Sequence, residues 1–506
     1  MNAPEQLSPL TAVLTQAGLS DADSRAWAAQ CHLGAPRRTP QGTPQGAPQG
    51  ASQGAPQGAI QSATSGGAST GHDLTQDRAS FGAFWQLTHT LLRALPPRKR
   101  RTEPEQRAAQ TLLDTARESR EQFLHAHVAQ VYGELTAQHS RLLRVEDIAA
   151  TAATAFPGLV PQAAVIEAEH QLTQGDKDGH EIDQGLLFAH ILANQAAGMH
   201  LCHAMLLPHP KSHALQSTFT ITGRVDLGNV HVEREGRSAI INLSNQKYLN
   251  AEDNTTVEAQ ELAVDLCLQD EASEIAVLRG ARMQSGKYQG RRVFCTGINL
   301  THLYHGKVPY LWYLTRELGW INKMFRGIAS PDYSPDDMLG RTREKLWISA
   351  VDAFAIGGGC QYMLATDVNI AAADAYMTLP ARKEGIVPGA ANLRLPRFVG
   401  DRIARQAVML ERRIDCASIE GRMICDRIVE PGTLDAAVAE MVESIVRSGV
   451  VSAASNRKAF RVAHEPLDLF RRYMAVYARE QAYCHFSPAL ITNLERFWSA
   501  HTRRVG

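Results

Sequence analysis

The stretch 355–361, which reads AIGGGCQ, decides the fold because it joins a predicted strand to a predicted helix through three glycines. The apolar run 346–351 just before it predicts a buried strand. A glycine run at such a junction allows a helix to pack tightly against the strand. It also leaves backbone N–H groups at the helix start open to an anionic group. The run by itself leaves both interpretations open.

A second glycine-bearing turn, residues 295–300 (CTGINL), follows a predicted strand at 293–296. Two backbone amides at the ends of neighbouring strands, one of them at a helix N-terminus, can point at the same oxygen atom. Such a pair stabilises the enolate charge that develops on a thioester carbonyl, and it needs no side-chain acid. The two turns together therefore predict an oxyanion site.

Strand and helix patterns alternate over about 200 residues around these turns, which predicts an α/β fold with a parallel sheet under helical cover. The Glu235-Gly236 pair predicts a hairpin turn. The other predicted strands are 230–234, 239–243, 275–278, 368–372 and 376–378, and the predicted helices are 256–269, 311–325 and those from Asp401 onward.

The chain divides by composition into five parts. Residues 1–34 form a poorly defined segment, and 35–78 contain tandem PQG units that predict a disordered linker. A helical pattern predicts an all-α accessory domain over 79–215. The catalytic core is expected at 216–430, followed by a helical region, 431–506, whose exposed apolar positions suit subunit contacts.

Composition excludes several classes of protein. The 506 residues carry 52 basic and 52 acidic side chains with a pI near 7.3, which argues against binding nucleic acid by phosphate neutralisation. No apolar run is long enough to span a membrane, and the first residues lack a secretory pattern, so a cytoplasmic location is expected. The eight cysteines stand singly, without the paired spacing of a metal site, so no metal is expected.

Four short motifs, Asn250-Ala251, 297–299 (GIN), 356–361 and 388–390 (PGA), fall in the order and spacing of the crotonase (enoyl-CoA hydratase/isomerase) superfamily, which the chain resembles. The resemblance implies a crotonase-like ββα superhelix core with an N-terminal all-α domain and C-terminal helices for oligomer contacts. It implies an acyl-CoA thioester substrate whose oxyanion is bound by the N–H groups of Ile298 and Gly358. It also implies a CoA contact at Lys247, for which an ordinary surface lysine is an equal alternative.

Two departures from the superfamily pattern bear on the reaction. Hydratases of this superfamily use two glutamates to add water, and the corresponding positions here are Gln361 and Ala381. Hydration needs a general acid–base pair, so hydratase activity is not expected.

A narrower resemblance is carried by residues 250–253 (NAED), 316–319 (RELG), 353–359 and 379–395. These segments resemble the 3,5-dihydroxyphenylacetyl-CoA 1,2-dioxygenase group, and the similarity runs from about Phe81 to the C-terminal helices. It implies oxidation of an arylacetyl-CoA by O2 to an arylglyoxylate and free CoA, with no metal or organic cofactor. It also implies a homo-oligomer, a trimer or hexamer, and a place in dihydroxyphenylglycine biosynthesis.

This resemblance also assigns roles to residues. Glu252, Arg316 and Gln361 would hold the polar groups of the substrate, while Ala381 and Ile386 would line an apolar pocket for O2. Each residue also has an ordinary structural explanation. Glu252 could simply open a helix, and Arg316 could form a surface ion pair. Ala381 and Ile386 could be ordinary core residues. The base that removes the substrate proton is not identified, because Ser285 stands in the loop where a histidine is expected. An acyl-CoA thioesterase, isomerase or decarboxylase without O2 chemistry, or a non-catalytic acyl-CoA binder, is the alternative function.

Overall fold

The computed structural model describes residues 9–31, 73–335 and 338–505. The chain forms two compact units that divide between His127 and Val128. This division falls inside the predicted accessory domain 79–215, because the helices after residue 128 belong to the second unit. Most of the predicted linker, residues 35–72, lies outside the described residues, and its last residues begin the helix Leu74–Ala94.

The first unit is helical and has an aromatic core. Trp27 stacks on Phe84 with ring centroids 5.8 Å apart, and its indole N–H donates to Thr88 Oγ1 at 2.8 Å. Trp85 packs edge-on against Phe123. Its described helices are Pro9–Gln16, Asp21–Gln30, Leu74–Ala94 and the first part of Glu103–Leu135.

The described part of the second unit contains twelve strands, ten of which form one sheet. They are β1 Arg224–Asp226, β2 Val230–Glu235, β3 Ser238–Leu243, β4 Ile275–Gly280, β5 Val293–Cys295, β6 Ile328–Ala329, β7 Thr342–Arg343, β8 Leu346–Ile356, β9 Val368–Ala372, β10 Tyr376–Thr378, β11 Ile414–Asp415 and β12 Arg427–Val429.

The long strand β8 organises the sheet. Its first half pairs in parallel with β4 and β9, and its second half pairs in parallel with β5 and β10. The exchange of partners occurs around Ala353, which has a left-handed backbone (φ 64°). This exchange brings the ends of β5 and β8 together, and these are the strands that precede the two glycine-bearing turns.

Helices cover this sheet, which confirms the predicted α/β class. The predicted strands 368–372 and 376–378 are confirmed, whereas the strand predicted at 346–351 continues to Ile356. The remaining helices are Val145–Ala155, Ala163–His170, Ile182–Ala193, Gln195–Leu206, Ser212–Thr222, Val257–Gln269, Leu300–Tyr304, Leu311–Arg316, Asn322–Arg326, Gly358–Met363, Ala381–Glu384, Ala391–Leu410, Leu434–Ser448, Val450–His464, Leu467–His485 and Pro488–Trp498.

Two predicted helices differ in detail. The helix predicted at 311–325 is interrupted by a π-helical turn, Glu317–Ile321. The helix predicted from Asp401 onward is preceded by a further helical stretch that starts at Ala391, and the two meet at Gly400, whose φ of 74° and ψ of 159° are not helical.

Every residue of β3 and β4 is buried, as expected for parallel strands covered on both faces. None of the described helices combines the length and the apolar composition needed to cross a membrane. Within the same residues, no three His, Cys, Asp or Glu side chains are grouped so as to hold a metal ion.

Candidate active site

The glycine run places one free amide at a helix start. The helix Gly358–Met363 follows β8 directly, and the N–H of Gly357 donates to the carbonyl of Thr378 at 2.9 Å. Gly358 is the first helical residue, where an N–H has no partner inside the helix. Of the residues that the structure describes, none accepts a hydrogen bond from it.

The turn after β5 supplies a second amide. Glu252 N–H donates to Gly297 O at 2.8 Å, and Asn299 N–H donates to Glu252 O at 2.7 Å. This parallel bridge uses the neighbours of Ile298, so the N–H of Ile298 itself is directed away from Glu252. It too has no acceptor within the described ranges.

The two turns touch each other. A Cβ built on Gly297 would stand 3.1 Å from the nitrogen of Gly358, so the backbone segments lie in contact. Ile298 and Gly358 border the same cavity. Its lining comprises Glu252, Ile298, Trp312, Tyr313, Arg316, Glu317, Gly357, Gly358, Gln361, Glu384, Ile386, Val387, Pro388, Gly389 and Tyr477.

Most of the sequence-predicted site residues therefore meet in one place, but two lie outside the lining. Lys247 is exposed, with Nζ 5.3 Å from the ring centroid of Tyr248. Ala381 is buried at the start of the one-turn helix Ala381–Glu384, whose last residue lines the cavity.

Arg316 is the centre of a buried polar cluster. Its Nε and Nη2 donate to the two carboxylate oxygens of Glu252 at 2.7 and 2.9 Å, a bidentate pair. Its Nη1 donates to Glu317 and to the amide oxygen of Gln361. Burial alone would lower the pKa of Arg316, but the carboxylates of Glu252 and Glu317 raise it well above its ordinary value. Arg316 is thus a fixed cation.

The π-helical turn explains why consecutive residues, Arg316 and Glu317, both face the cavity. Side chains one position apart on a regular α-helix diverge, and π turns occur frequently at functional sites. Glu317 also accepts a hydrogen bond from the N–H of Ala390 at 3.2 Å. The sequence reasoning missed Glu317, although it directly follows the arginine of the RELG motif.

The backbone at Gly389 lies close to the polar cluster around Arg316. Its φ is +44°, and a Cβ there would overlap Glu317 Oε1 and stand 2.5 Å from Gln361 Oε1. A side chain at this position would push both polar groups away from Arg316. The PGA motif therefore contributes close backbone approach to the site.

Glu384 is the second carboxylate that sequence reasoning missed. Its side chain is buried, with 3% of the residue exposed. It forms no hydrogen bond or ion pair with any residue in the described part of the chain. Burial raises the pKa of Glu384 from 4.5 to about 8. Glu384 lies three positions after Ala381, at the other end of a one-turn helix, and the sequence alone gave no signal that this turn faces the cavity.

Comparison with known proteins gives consistent matches across this region. The family profile described as enoyl-CoA hydratase/isomerase matches residues 233–479. A (3,5-dihydroxyphenyl)acetyl-CoA 1,2-dioxygenase from Amycolatopsis orientalis is 42% identical over 398 residues, which cover 78% of this chain and 90% of that protein. A short-chain-enoyl-CoA hydratase from Clostridium acetobutylicum is 27% identical over 46% of this chain and 82% of its own length.

A solved structure is similar over part of the chain. The crystal structure of an enoyl-CoA hydratase from Mycobacterium avium subsp. paratuberculosis aligns with a TM-score of 0.44 and 17% identity. The alignment covers 56% of this chain and 100% of that one.

Proposed function

The chain belongs to the enoyl-CoA hydratase/isomerase (crotonase) family, and on that premise we propose that it is a dioxygenase of arylacetyl-CoA thioesters. The observation that carries the proposal is that Ile298 and Gly358 border one cavity and that their N–H groups have no acceptor among the described residues. The two hydratase glutamate positions beside it hold Gln361 and Ala381. The 42% identity to the Amycolatopsis dioxygenase over most of both chains supports the same conclusion.

The amides act on the thioester carbonyl. Loss of an α-proton converts the acyl group to an enolate, and two N–H donors stabilise the charge that develops on its oxygen. The enolate passes one electron to O2, and the two radicals combine at the α carbon. The resulting peroxide attacks the thioester carbonyl and expels CoA as a thiolate, which takes up a proton. The second α-proton then leaves as the O–O bond breaks, and this step forms the keto group and the carboxylate of the arylglyoxylate. One arylacetyl-CoA and one O2 thus give one arylglyoxylic acid and one CoA thiol, with all atoms accounted for.

The polar cluster fits a hydroxylated aryl ring, and 3,5-dihydroxyphenylacetyl-CoA is the proposed substrate. Gln361 accepts from Arg316 through its oxygen, which leaves its NH2 group as a donor. Glu252 keeps lone pairs that can accept a phenolic O–H. Ala381 and Ile386 are the proposed contacts for O2, since both are apolar and Ile386 lines the cavity.

We propose that the CoA part of the substrate extends outside this cavity. Lys247 is exposed, and we assign it to the phosphate groups of CoA. Replacing it with alanine is expected to raise KM without changing kcat.

A homo-oligomer, a trimer or hexamer, is also proposed. Several large apolar side chains of the C-terminal region 431–506 are exposed, among them Val451, Phe460 and Val476. Exposed apolar clusters mark protein contact sites. Light scattering of the purified chain measures the assembly. The cytoplasmic location and the biosynthetic pathway stay predictions from the sequence.

One assay tests the proposed reaction. The purified full chain is incubated with 3,5-dihydroxyphenylacetyl-CoA while O2 consumption and free thiol are recorded together. Equal, coupled amounts are expected. Thiol release without O2 uptake indicates a thioesterase, and neither signal indicates an acyl-CoA binder; both results contradict a dioxygenase.

A further inference from the structure

Three carboxylates border the cavity, and two of them are neutralised. Glu252 and Glu317 both bind Arg316. Glu384 has no such partner in the parts of the chain that the structure describes, although it is as deeply buried. Burying an ionisable group without a partner lowers the free energy of unfolding, so such groups are rare in protein interiors. Enzymes accept such costs at sites where the group reacts.

Glu384 lies beside the oxyanion amides. Both of its carboxylate oxygens are 4.0 Å from the point where a Cβ on Gly357 would stand. Gly357 directly precedes Gly358, and both residues line the cavity. A thioester oxygen held by the N–H of Gly358 brings the α carbon, two bonds away, into the space that Glu384 also borders.

The other polar groups of the cavity are poor proton acceptors. Burial raises the pKa of Tyr313 and of Tyr477 well above the ordinary tyrosine value, so both keep their protons. Arg316 is a cation, and Gln361 is a neutral amide. Ser285, which stands where a histidine was expected, is exposed and is not part of the lining.

We propose that Glu384 is the base that removes the α-proton of the bound acyl thioester. The α C–H bond breaks, its proton passes to a carboxylate oxygen of Glu384, and its electron pair becomes the enolate held by Ile298 and Gly358. When CoA later leaves as a thiolate, Glu384 returns the proton to sulfur and recovers its charge. This role rests on the proposed function, because it needs a thioester bound at the two amides.

The surroundings of Glu384 suit this role. The titratable groups that face it from neighbouring elements are Tyr313 and Cys360, and burial keeps both protonated. Neither changes charge near neutral pH. The pKa of Glu384 is about 8, which is close to neutral pH. A general base is most effective when its pKa lies near the working pH, because it is then partly ionised and still binds the transferred proton firmly.

Hydrogen exchange without oxygen tests the assignment. Wild-type protein is mixed with 3,5-dihydroxyphenylacetyl-CoA in anaerobic D2O, and deuterium entering the α position is followed by mass spectrometry. We expect exchange by wild type and a loss of about 10²-fold or more in Glu384→Gln. Substrate binding, measured by calorimetry, is expected to be unchanged. Arg382→Ala, an exposed neighbour on the same short helix, is the matched control and is expected to exchange at the wild-type rate.

The pH profile of wild type gives a second, independent readout. The exchange rate is expected to rise with pH and level off above about pH 8, following ionisation of Glu384. Exchange by Glu384→Gln at the wild-type rate overturns the assignment, and so does a profile already level from about pH 6 upward. If wild type exchanges, Glu384→Gln does not, and no O2 is consumed, the dioxygenase proposal fails and the role of Glu384 stands. If wild type does not exchange, both fail.

Discussion

The Cβ atom that Gly358 lacks would overlap Oε2 of Glu252 and stand 2.9 Å from Nη2 of Arg316. The backbone of Gly358 does not require glycine, because its φ is not positive. Glycine is required because any side chain would collide with the neighbouring ion pair of Glu252 and Arg316. The carboxylate and its arginine occupy the space beside the amide. The absence of a side chain at Gly358 therefore leaves room for the polar cluster.

Gly358→Ala tests this relationship. The new methyl group must displace Glu252 while leaving the N–H of residue 358 in place, so we expect turnover to fall by about 10²-fold. Thiol release measures it. Gly175→Ala is the control, because a Cβ there meets Ile491 at an ordinary 3.5 Å. Full activity in Gly358→Ala would contradict the close packing described here.

Gly358→Pro separates the amide from the crowding. Proline is tolerated at the first position of a helix, but it has no N–H. We expect this variant to lose about 10²–10³-fold more kcat than Gly358→Ala, the usual effect of removing one oxyanion donor. Equal activities of the two variants would show that the N–H of residue 358 does not contact the substrate.

Arg316→Met is expected to destabilise the fold. The substitution leaves Glu252 and Glu317 buried without their cation, and breaking a buried pair in this way costs about 3–5 kcal/mol. Denaturant unfolding measures the change. The triple variant with Glu252→Gln and Glu317→Gln is expected to recover part of this loss, and a loss that stays the same would exclude the electrostatic cause.

Labelled oxygen identifies the reaction. Both oxygen atoms that enter the arylglyoxylate come from O2 in the proposed scheme, and the third is the thioester oxygen. Mass spectrometry of the product made under heavy O2 is expected to show two labelled atoms. A hydrolase places one solvent oxygen in an arylacetate instead, so label from heavy water in an arylacetate would favour that alternative.

The sequence predicted the fold well because its signals were local. The short apolar runs 368–372 and 376–378 predicted β9 and β10 with the correct bounds. The glycine-bearing turns marked the places where a strand passes into a helix. The predicted strand ended too early because Asp352 interrupts the apolar pattern. In the structure Arg291 pairs with the carboxylate of Asp352, so this charged residue is accommodated inside the strand.

The site was predicted in part, for a physical reason. The motifs named Ile298, Gly358 and Glu252, which line the cavity, but they pointed to positions 361 and 381 as the places for carboxylates. Glu317 reaches the cavity through a π-helical turn, and Glu384 reaches it through a single turn of helix. Neither deviation follows from the local sequence, because tertiary packing decides both.

The last prediction concerns the stability cost of Glu384. Its pKa is 4.5 when exposed and about 8 when buried, so the folded state holds a proton that the unfolded state releases. Stability from this group is complete below about pH 4.5 and is lost as the pH rises toward 8. Glu384→Gln removes the loss, so we expect it to be more stable than wild type by roughly 4 kcal/mol above pH 8. Denaturant unfolding across pH measures the difference.

Glu465→Gln provides the opposite control. Burial opposes ionisation of Glu465, but Arg394 and Arg326 lower its pKa from 4.5 to about 2. This carboxylate stabilises the fold above pH 4.5, and its contribution is lost as the pH falls through 2. Glu465→Gln is therefore expected to be less stable than wild type at neutral pH, with a difference that shrinks in acid. A Glu384→Gln variant that is also less stable than wild type at pH 8 would mean that Glu384 has a partner, and it would contradict a lone carboxylate in the cavity.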